Sequence, residues 1–142
     1  MKPSNFDIFN RITLFTLVRL FDEFPMPVDV DPEGNAIKAF EEQENLDVDE
    51  TWALMDLGLQ TLIWLKSEGF ISIMQRTMDG KCIGVCLTLK GLSLLGYSVG
   101  GQDESETLID KAKEALTDTA IESAKDVMKK LFAMGLATTV SI

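Results

Sequence analysis

The sequence contains no histidine. Histidine is the commonest general base near neutral pH and the commonest metal ligand, so Ser–His and Cys–His nucleophile pairs cannot form within one chain. Carboxylate pairs such as Glu41 and Glu42 occur only in a strongly acidic stretch, and the glycines are too scattered to form a phosphate-binding loop. We therefore predict that the protein is not an enzyme, with no catalytic residue and no cofactor.

Cysteine is scarce as well, since Cys82 and Cys86 are the only two in the chain. Two cysteines are too few for the disulfide framework of a secreted domain. Four residues apart on a strand, they would point to one face roughly 13 Å apart, too far for a disulfide or a shared metal. We expect both to be buried as small hydrophobic side chains.

Two further features are missing: an N-terminal signal pattern and an apolar run of about 18 residues. Without these patterns, the expectation is a cytoplasmic protein that neither enters nor spans a membrane.

Basic residues are few, because 13 lysines and arginines stand against 23 aspartates and glutamates, a formal net charge of −10. The imbalance is largest over residues 29–56, where ten acidic residues accompany Lys38 alone. Affinity for nucleic acid comes largely from neutralising phosphates with lysine and arginine, so this segment opposes DNA binding.

The acidic segment begins with VDVDPEGN, which has the spacing of a calcium loop: Asp29, Asp31, Glu33 and Gly34 match its first, third, fifth and sixth positions. The twelfth position requires a bidentate glutamate but holds Phe40. We therefore predict a connector without a metal, in which the valines at 28 and 30 turn inward at the period of a short edge strand and the acids face water.

Hydrophobic periodicity predicts a first helix over about residues 4–24, capped by Ser4 or Asn5. Its apolar surface is wide enough to be buried against more than one partner. After the prolines of the connector, a short second helix is expected over about residues 35–44.

A third helix is predicted over about residues 49–68. Gly69 stands where a left-handed C-cap belongs, and Phe70 supplies the hydrophobic contact of a Schellman stop. Trp52 and Trp64 lie three turns apart on this helix, and we expect them in the core; a partner-binding surface is the alternative.

Two runs of strand-forming residues flank Asp79 and Gly80, which is the strongest short hairpin signal. A two-residue turn there would oppose Met78 with Lys81, and Met74 with Val85.

After the hairpin, Thr88 has the character of an N-cap for a short helix that ends near Gly96. Gly100 and Gly101 then form a hinge. We divide the chain there into a domain of residues 1–99 and a C-terminal element of residues 100–142.

The C-terminal element is predicted to be one long amphipathic helix from about residue 103 to 134, since nothing in that stretch breaks a helix. Apolar residues recur on one face at steps of three and four. We interpret that face as a dimerisation surface, with Ile109, Leu116, Ala120, Val127 and Leu131 as its contact residues.

The order of these elements resembles a winged helix-turn-helix domain of the kind found in MarR- and PadR-type bacterial regulators. The similarity covers about residues 5–97. It is most specific in LIWLKSEGFISI, in MDGK at the tip of the wing, and in GVCLTLKGLSLLG. The resemblance implies a fold that is mainly α with a small β-hairpin (α+β), followed by a long C-terminal dimerisation helix.

The resemblance also implies that the third helix enters the major groove of duplex DNA while the wing touches phosphates. The candidates on the outer face of that helix are Thr51, Asp56, Gln60, Thr61 and Lys66, with Trp64 as an alternative exposed residue, and only Lys66 is basic. The wing has more basic and polar side chains than that face, with Gln75, Arg76, Thr77 and Lys81 around its turn.

Two functions remain open. The first is a non-enzymatic, acidic winged-helix module that forms a homodimer and binds protein. The second is a transcriptional regulator that contacts DNA mainly through its wing. A small-molecule sensor is a variant of the second, with its pocket between the phenylalanine-rich first helix and the C-terminal helix. Under either hypothesis, the residues expected to contact DNA or a partner are Gln60, Lys66, Gln75, Arg76 and Lys81.

Overall fold

The computed structural model of the protein describes residues 4–40, 48–94, 113, 114 and 116. Over these residues the chain is mostly helical and carries one small antiparallel sheet, which confirms the α+β prediction. The elements are α1 (Asn5–Glu23), β1 (Val28–Val30), α2 (Pro32–Ala39), α3 (Val48–Ser67), β2 (Ile71–Arg76), β3 (Cys82–Leu87) and α4 (Leu89–Leu94). The predicted hinge at Gly100 and Gly101 lies outside the described residues.

Helix α1 is the centre of the fold. Ser4 caps it as predicted, because its hydroxyl accepts the Asp7 N–H while the Asp7 carboxylate accepts the Ser4 N–H, each at 3.2 Å. The helix packs against α2, α3 and β3, so its side chains are buried on several sides, as the wide apolar surface indicated. One core cluster joins α1 to α3 and the sheet, and a second joins it to α2.

Helix α2 begins at Pro32, three residues before the predicted start, and ends at Ala39 rather than at Glu44. The prediction placed the proline in the connector, but a proline suits the first position of a helix, where no N–H is needed. Residues 28–35 therefore hold the expected short strand and, beyond it, the first residues of α2, which the prediction had left in the connector. The Asp29 carboxylate accepts the Gly84 N–H at 3.1 Å.

The ends of α3 and α4 follow the sequence signals. Gly69 has φ +82°, and the Phe70 N–H donates to the Leu65 carbonyl at 2.9 Å, which confirms the Schellman stop. The Thr88 hydroxyl accepts the Gly91 N–H at 3.1 Å and so caps α4. The predicted end of that helix near Gly96 lies beyond the described residues.

The sheet has the order β1–β3–β2, and the edge strand over Val28–Val30 is present. The hairpin register differs from the prediction by one residue, since Val85 pairs with Ile73 and not with Met74. Its loop has three residues: the Thr77 N–H donates to the Lys81 carbonyl at 2.9 Å, and Gly80 has φ +91°. A left-handed glycine at the third loop position is typical of such hairpins, and it leaves Met78 in the loop instead of opposite Lys81.

The two cysteines do not share an environment, contrary to the prediction. Gly84, with φ +68°, stands between them, and the β1–β3 register shifts along this stretch. Cys82 is buried in the core, whereas Cys86 is half-buried and its thiol lies 3.6 Å from the Pro25 carbonyl. Burial raises the pKa of the Cys82 thiol, with the nearby Asp31 charge acting the same way and Arg76 and Lys66 opposing it.

The described part of the C-terminal element lies against α1. Lys113 pairs with Asp22 at 3.0 Å, and the Arg11 guanidinium donates to the Leu116 carbonyl at 2.8 Å. Leu116, one of the predicted dimer contacts, packs against the core of its own chain. The other four, Ile109, Ala120, Val127 and Leu131, lie outside the described residues.

Candidate functional site

An open apolar groove of about 840 Å³ lies between the first turns of α1 and the second half of α3, with α4 at one end. Its walls are mostly hydrophobic and aromatic side chains with a few polar groups, which is the usual make-up of a binding site. The lining residues are Asn5, Phe6, Phe9, Leu57, Gln60, Thr61, Ile63, Trp64, Ser67, Glu68, Phe70 and Lys90.

Four aromatic rings form a continuous series along the groove. Phe6 meets Phe9 edge to face at 5.8 Å, Phe9 meets Trp64 edge to face at 5.2 Å, and Trp64 meets Phe70 at 5.9 Å. Such contacts hold the rings in place while Phe6 stays 68% exposed and Trp64 39% exposed. The groove is therefore a preformed surface with large apolar area available for contact.

Lys90 closes the α4 end of the groove. Its ammonium lies 4.8 Å from the centre of the Phe70 ring and donates to the Glu68 carbonyl at 2.7 Å. The ammonium thus satisfies a backbone carbonyl at the C-terminal end of α3 and stacks on the face of the Phe70 ring.

The exposed side of α3 carries negative charge. Asp49 and Asp56 are exposed on α3 and Glu68 directly after it, whereas the exposed bases here are Lys66 and, at the end of the groove, Lys90. Gln60, one turn beyond Asp56, lies in the groove. A phosphate backbone approaching this side would meet more carboxylates than ammonium groups, so the electrostatic contribution to DNA affinity would be unfavourable.

The prediction that both tryptophans lie in the core is wrong for Trp52, which is 62% exposed. Trp52, Asp56, Gln60 and Trp64 follow one another at four-residue steps and so share one side of α3. That side faces away from α2, because α3 packs on α2 through the opposite side at Leu54 and Gly58. Trp64 is only partly covered, by Phe9 and Phe70.

Thr61 was predicted on the outer face of α3, but it is 3% exposed. Its hydroxyl donates to the Leu57 carbonyl at 2.6 Å, which satisfies the polar group without a partner molecule. Gln60 and Lys66 are both exposed as expected, although only the first lines the groove.

The predicted wing contacts Gln75, Arg76 and Lys81 are all exposed near the hairpin turn, where Arg76 pairs with Cys82. Thr77 orders the turn: its hydroxyl accepts the Lys81 N–H at 3.0 Å and also donates to the Asp79 carboxylate. That hydrogen bond holds the pKa of Asp79 below its usual value. The turn therefore presents the cations of Arg76 and Lys81 and the carboxylate of Asp79.

The groove itself was missed by the sequence analysis. Phe6 and Phe9 fit the apolar stripe of α1 as well as the buried residues do, and periodicity does not tell which part of a stripe another element covers. The available signals were that the stripe begins at the first turn of the helix and that Trp64 was an alternative partner-binding residue.

Among the residues that the structure describes, no three His, Cys, Asp or Glu side chains group to hold a metal ion. Within the same ranges, every helix is too short or too polar to cross a membrane. No family model matches the chain, and searches of curated proteins and of solved structures give no match either.

Proposed function

We propose that the protein is a non-enzymatic, homodimeric interaction module with a winged-helix architecture, which binds protein through the groove beside α3. The order of α1, β1, α2, α3, the β2–β3 hairpin and α4 supports the winged-helix assignment. In this arrangement α3 occupies the place of the recognition helix, and the hairpin is the wing.

One observation carries the proposal: an apolar groove lined by four aromatic rings lies beside α3, and its charged lining residues are one carboxylate, Glu68, and one ammonium, Lys90. A helix that reads DNA presents basic and amide side chains to base edges and phosphates. A surface that binds protein is instead enriched in aromatic side chains, as in the series from Phe6 to Phe70.

Light scattering on the full chain tests the homodimer. The expected result is a dimer for the wild type and a monomer for Val127→Asp combined with Leu131→Asp, because charges on an apolar interface must be desolvated. Gln102→Asp, outside the predicted apolar face, is the matched control and should stay dimeric. A wild-type monomer at concentrations of about 100 μM would contradict the proposal, since such affinity is weaker than a specific dimer needs.

A second candidate, DNA binding through the wing, is favoured by the exposure of Arg76 and Lys81 beside Gln75. Fluorescence anisotropy with labelled random-sequence duplex at low salt separates the two functions. The groove proposal predicts no binding. The wing hypothesis predicts binding that weakens steeply with salt and weakens further in the Arg76→Ala, Lys81→Ala double variant.

A further inference from the structure

One buried side chain, that of Arg11 on α1, contacts two parts of the chain that lie far apart in the sequence. Its Nε donates to the Ala39 carbonyl, at the end of α2, at 2.5 Å, and its Nη2 donates to the Leu116 carbonyl of the C-terminal element at 2.8 Å. The guanidinium also lies 5.6 Å from the centre of the Phe40 ring. Because Arg11 is only 2% exposed, its charge is held by these contacts and not by bulk water.

We propose that Arg11 is a latch, which holds the C-terminal element to its own domain and couples it to the end of α2 so that the two open together. The latch is a conformational device of a single chain. It is separate from the groove beside α3, and it does not depend on whether the chain forms a dimer.

The coupling follows from the cost of burying a charge. A guanidinium withdrawn from water must be hydrogen-bonded, and the last carbonyls of a helix carry partial negative charge with no partner inside the helix. The Ala39 carbonyl is of this kind, because α2 ends at that residue. If the C-terminal element leaves, the guanidinium loses one acceptor and gains access to water, which weakens its bond to Ala39. The reverse holds when the end of α2 opens.

The two parts that Arg11 contacts belong to different core clusters. Leu116 packs on the cluster that joins α1 to α3 and the sheet, whereas Ala39 and Phe40 belong to the cluster that joins α1 to α2. Arg11 thus bridges two clusters, and we infer that it carries the coupling between them.

The ion pair between the C-terminal element and α1 is the weaker contact. The side chains of Lys113 and Asp22 lie 3.0 Å apart but are 47% and 50% exposed. Exposed pairs contribute little, because water and salt screen them. The hydrogen bond from Arg11 has a buried, charged donor, and such bonds are the stronger kind.

A closed latch restricts what the C-terminal element can contact. While the latch is closed, Leu116 lies against the core of its own chain and is not available to a partner. A partner that draws the end of α2 away from α1 would therefore also free Leu116.

Amide hydrogen exchange on the full chain, followed by ¹⁵N NMR, tests the latch. Arg11→Met keeps an unbranched side chain at this position but removes the donors. It should speed exchange at both ends of the latch by about tenfold or more relative to the interior of α3, because hydrogen bonds from a charged group are lost. The ends of the latch are reported by Ala39, Phe40, Lys113, Glu114 and Leu116, and the interior of α3 by Leu62 and Leu65.

Arg19→Met is the matched control, since it also removes a cation from α1. The Arg19 guanidinium reaches the Asn35 side chain at 3.4 Å and the Asp29 carbonyl at 3.5 Å, and neither contact involves the C-terminal element. Arg19→Met should therefore leave exchange in that element unchanged relative to α3. Asp22→Asn, which removes only the exposed ion pair, should also change it little.

Leu116→Ser tests the coupling from the other end. It should speed exchange at Ala39 and Phe40 relative to the interior of α3. Ile73→Ser, which removes an apolar side chain packed against the same cluster as Leu116, should not do so. This pair still decides the question if Arg11→Met does not fold.

Exchange relative to α3 separates opening of the latch from a general loss of stability. Equal acceleration at both ends and inside α3 in Arg11→Met would overturn the inference, because Arg11 would then stabilise only the fold as a whole. Unchanged exchange at Ala39 and Phe40 in Leu116→Ser would overturn the coupling. Neither outcome bears on the proposed homodimer, which light scattering measures.

Discussion

Helices α2 and α3 cross so closely at Gly58 that an added methyl group has no room. A Cβ at this position would lie 2.6 Å from both the Ala36 Cβ and the Pro32 carbonyl oxygen. Carbon atoms in contact prefer separations of about 3.5–4.0 Å, and a backbone carbonyl cannot rotate away as a side chain can. The Gly58→Ala variant must therefore move α2 by about 1 Å.

The expected free-energy change combines two opposing effects. Overpacking of a rigid site costs up to about 3 kcal/mol, and we take the upper value because the obstacle is backbone. Alanine is favoured over glycine in a helix interior by about 1 kcal/mol. Gly58→Ala should therefore lower the free energy of unfolding by about 2 kcal/mol.

The matched control is Gly34→Ala in α2. A Cβ there would lie 3.1 Å from a carboxylate oxygen of Asp31, which is an exposed and flexible side chain. Alanine loses less backbone entropy on folding than glycine, so this variant should be about 0.5 kcal/mol more stable than the wild type. Urea unfolding followed by circular dichroism measures both changes. A Gly58→Ala variant as stable as the wild type, beside a stabilised Gly34→Ala variant, would show that α2 and α3 are not this close.

Two further predictions concern the cap of α1 and the thiols. Ser4→Ala removes the capping box and should lower the free energy of unfolding by about 1 kcal/mol in the same urea assay, whereas Ser67→Ala should change it little; equal effects would argue against the cap. In alkylation at pH 8 with mass spectrometry, Cys86 should react well before Cys82, because the latter thiol is buried and its raised pKa disfavours the reactive thiolate. Equal alkylation rates would contradict the burial of Cys82.

The features that the sequence predicted correctly depend on local chemistry. Ser4 and Thr88 cap their helices, Gly69 ends α3, and the glycine after Asp79 turns the hairpin. Each signal acts within about four residues and needs no knowledge of the tertiary structure. The edge strand at Val28–Val30 was also visible, because alternation at period two is a local pattern.

The features that the sequence did not predict depend on which surfaces meet. The three-residue hairpin loop moves the β2–β3 register by one residue from the prediction. Separately, the β1–β3 register shifts by one residue along the stretch that holds the left-handed Gly84, between Cys82 and Cys86. Trp52 has the periodicity of a core residue but faces away from α2. The groove forms where the first turns of α1 meet the second half of α3, and no local pattern encodes which parts of two helices meet.

The most direct test of the proposed homodimer, with the groove beside α3 in its interface, is the emission of Trp64 in a Trp52→Phe variant. Emission spectra and light scattering are recorded over one dilution series that spans dimer dissociation. We expect the emission of Trp64 to shift to the red as the dimer dissociates, because the partly covered indole becomes more exposed to water. Emission that stays constant while light scattering reports dissociation would contradict the account, since Trp64 would then lie outside the interface.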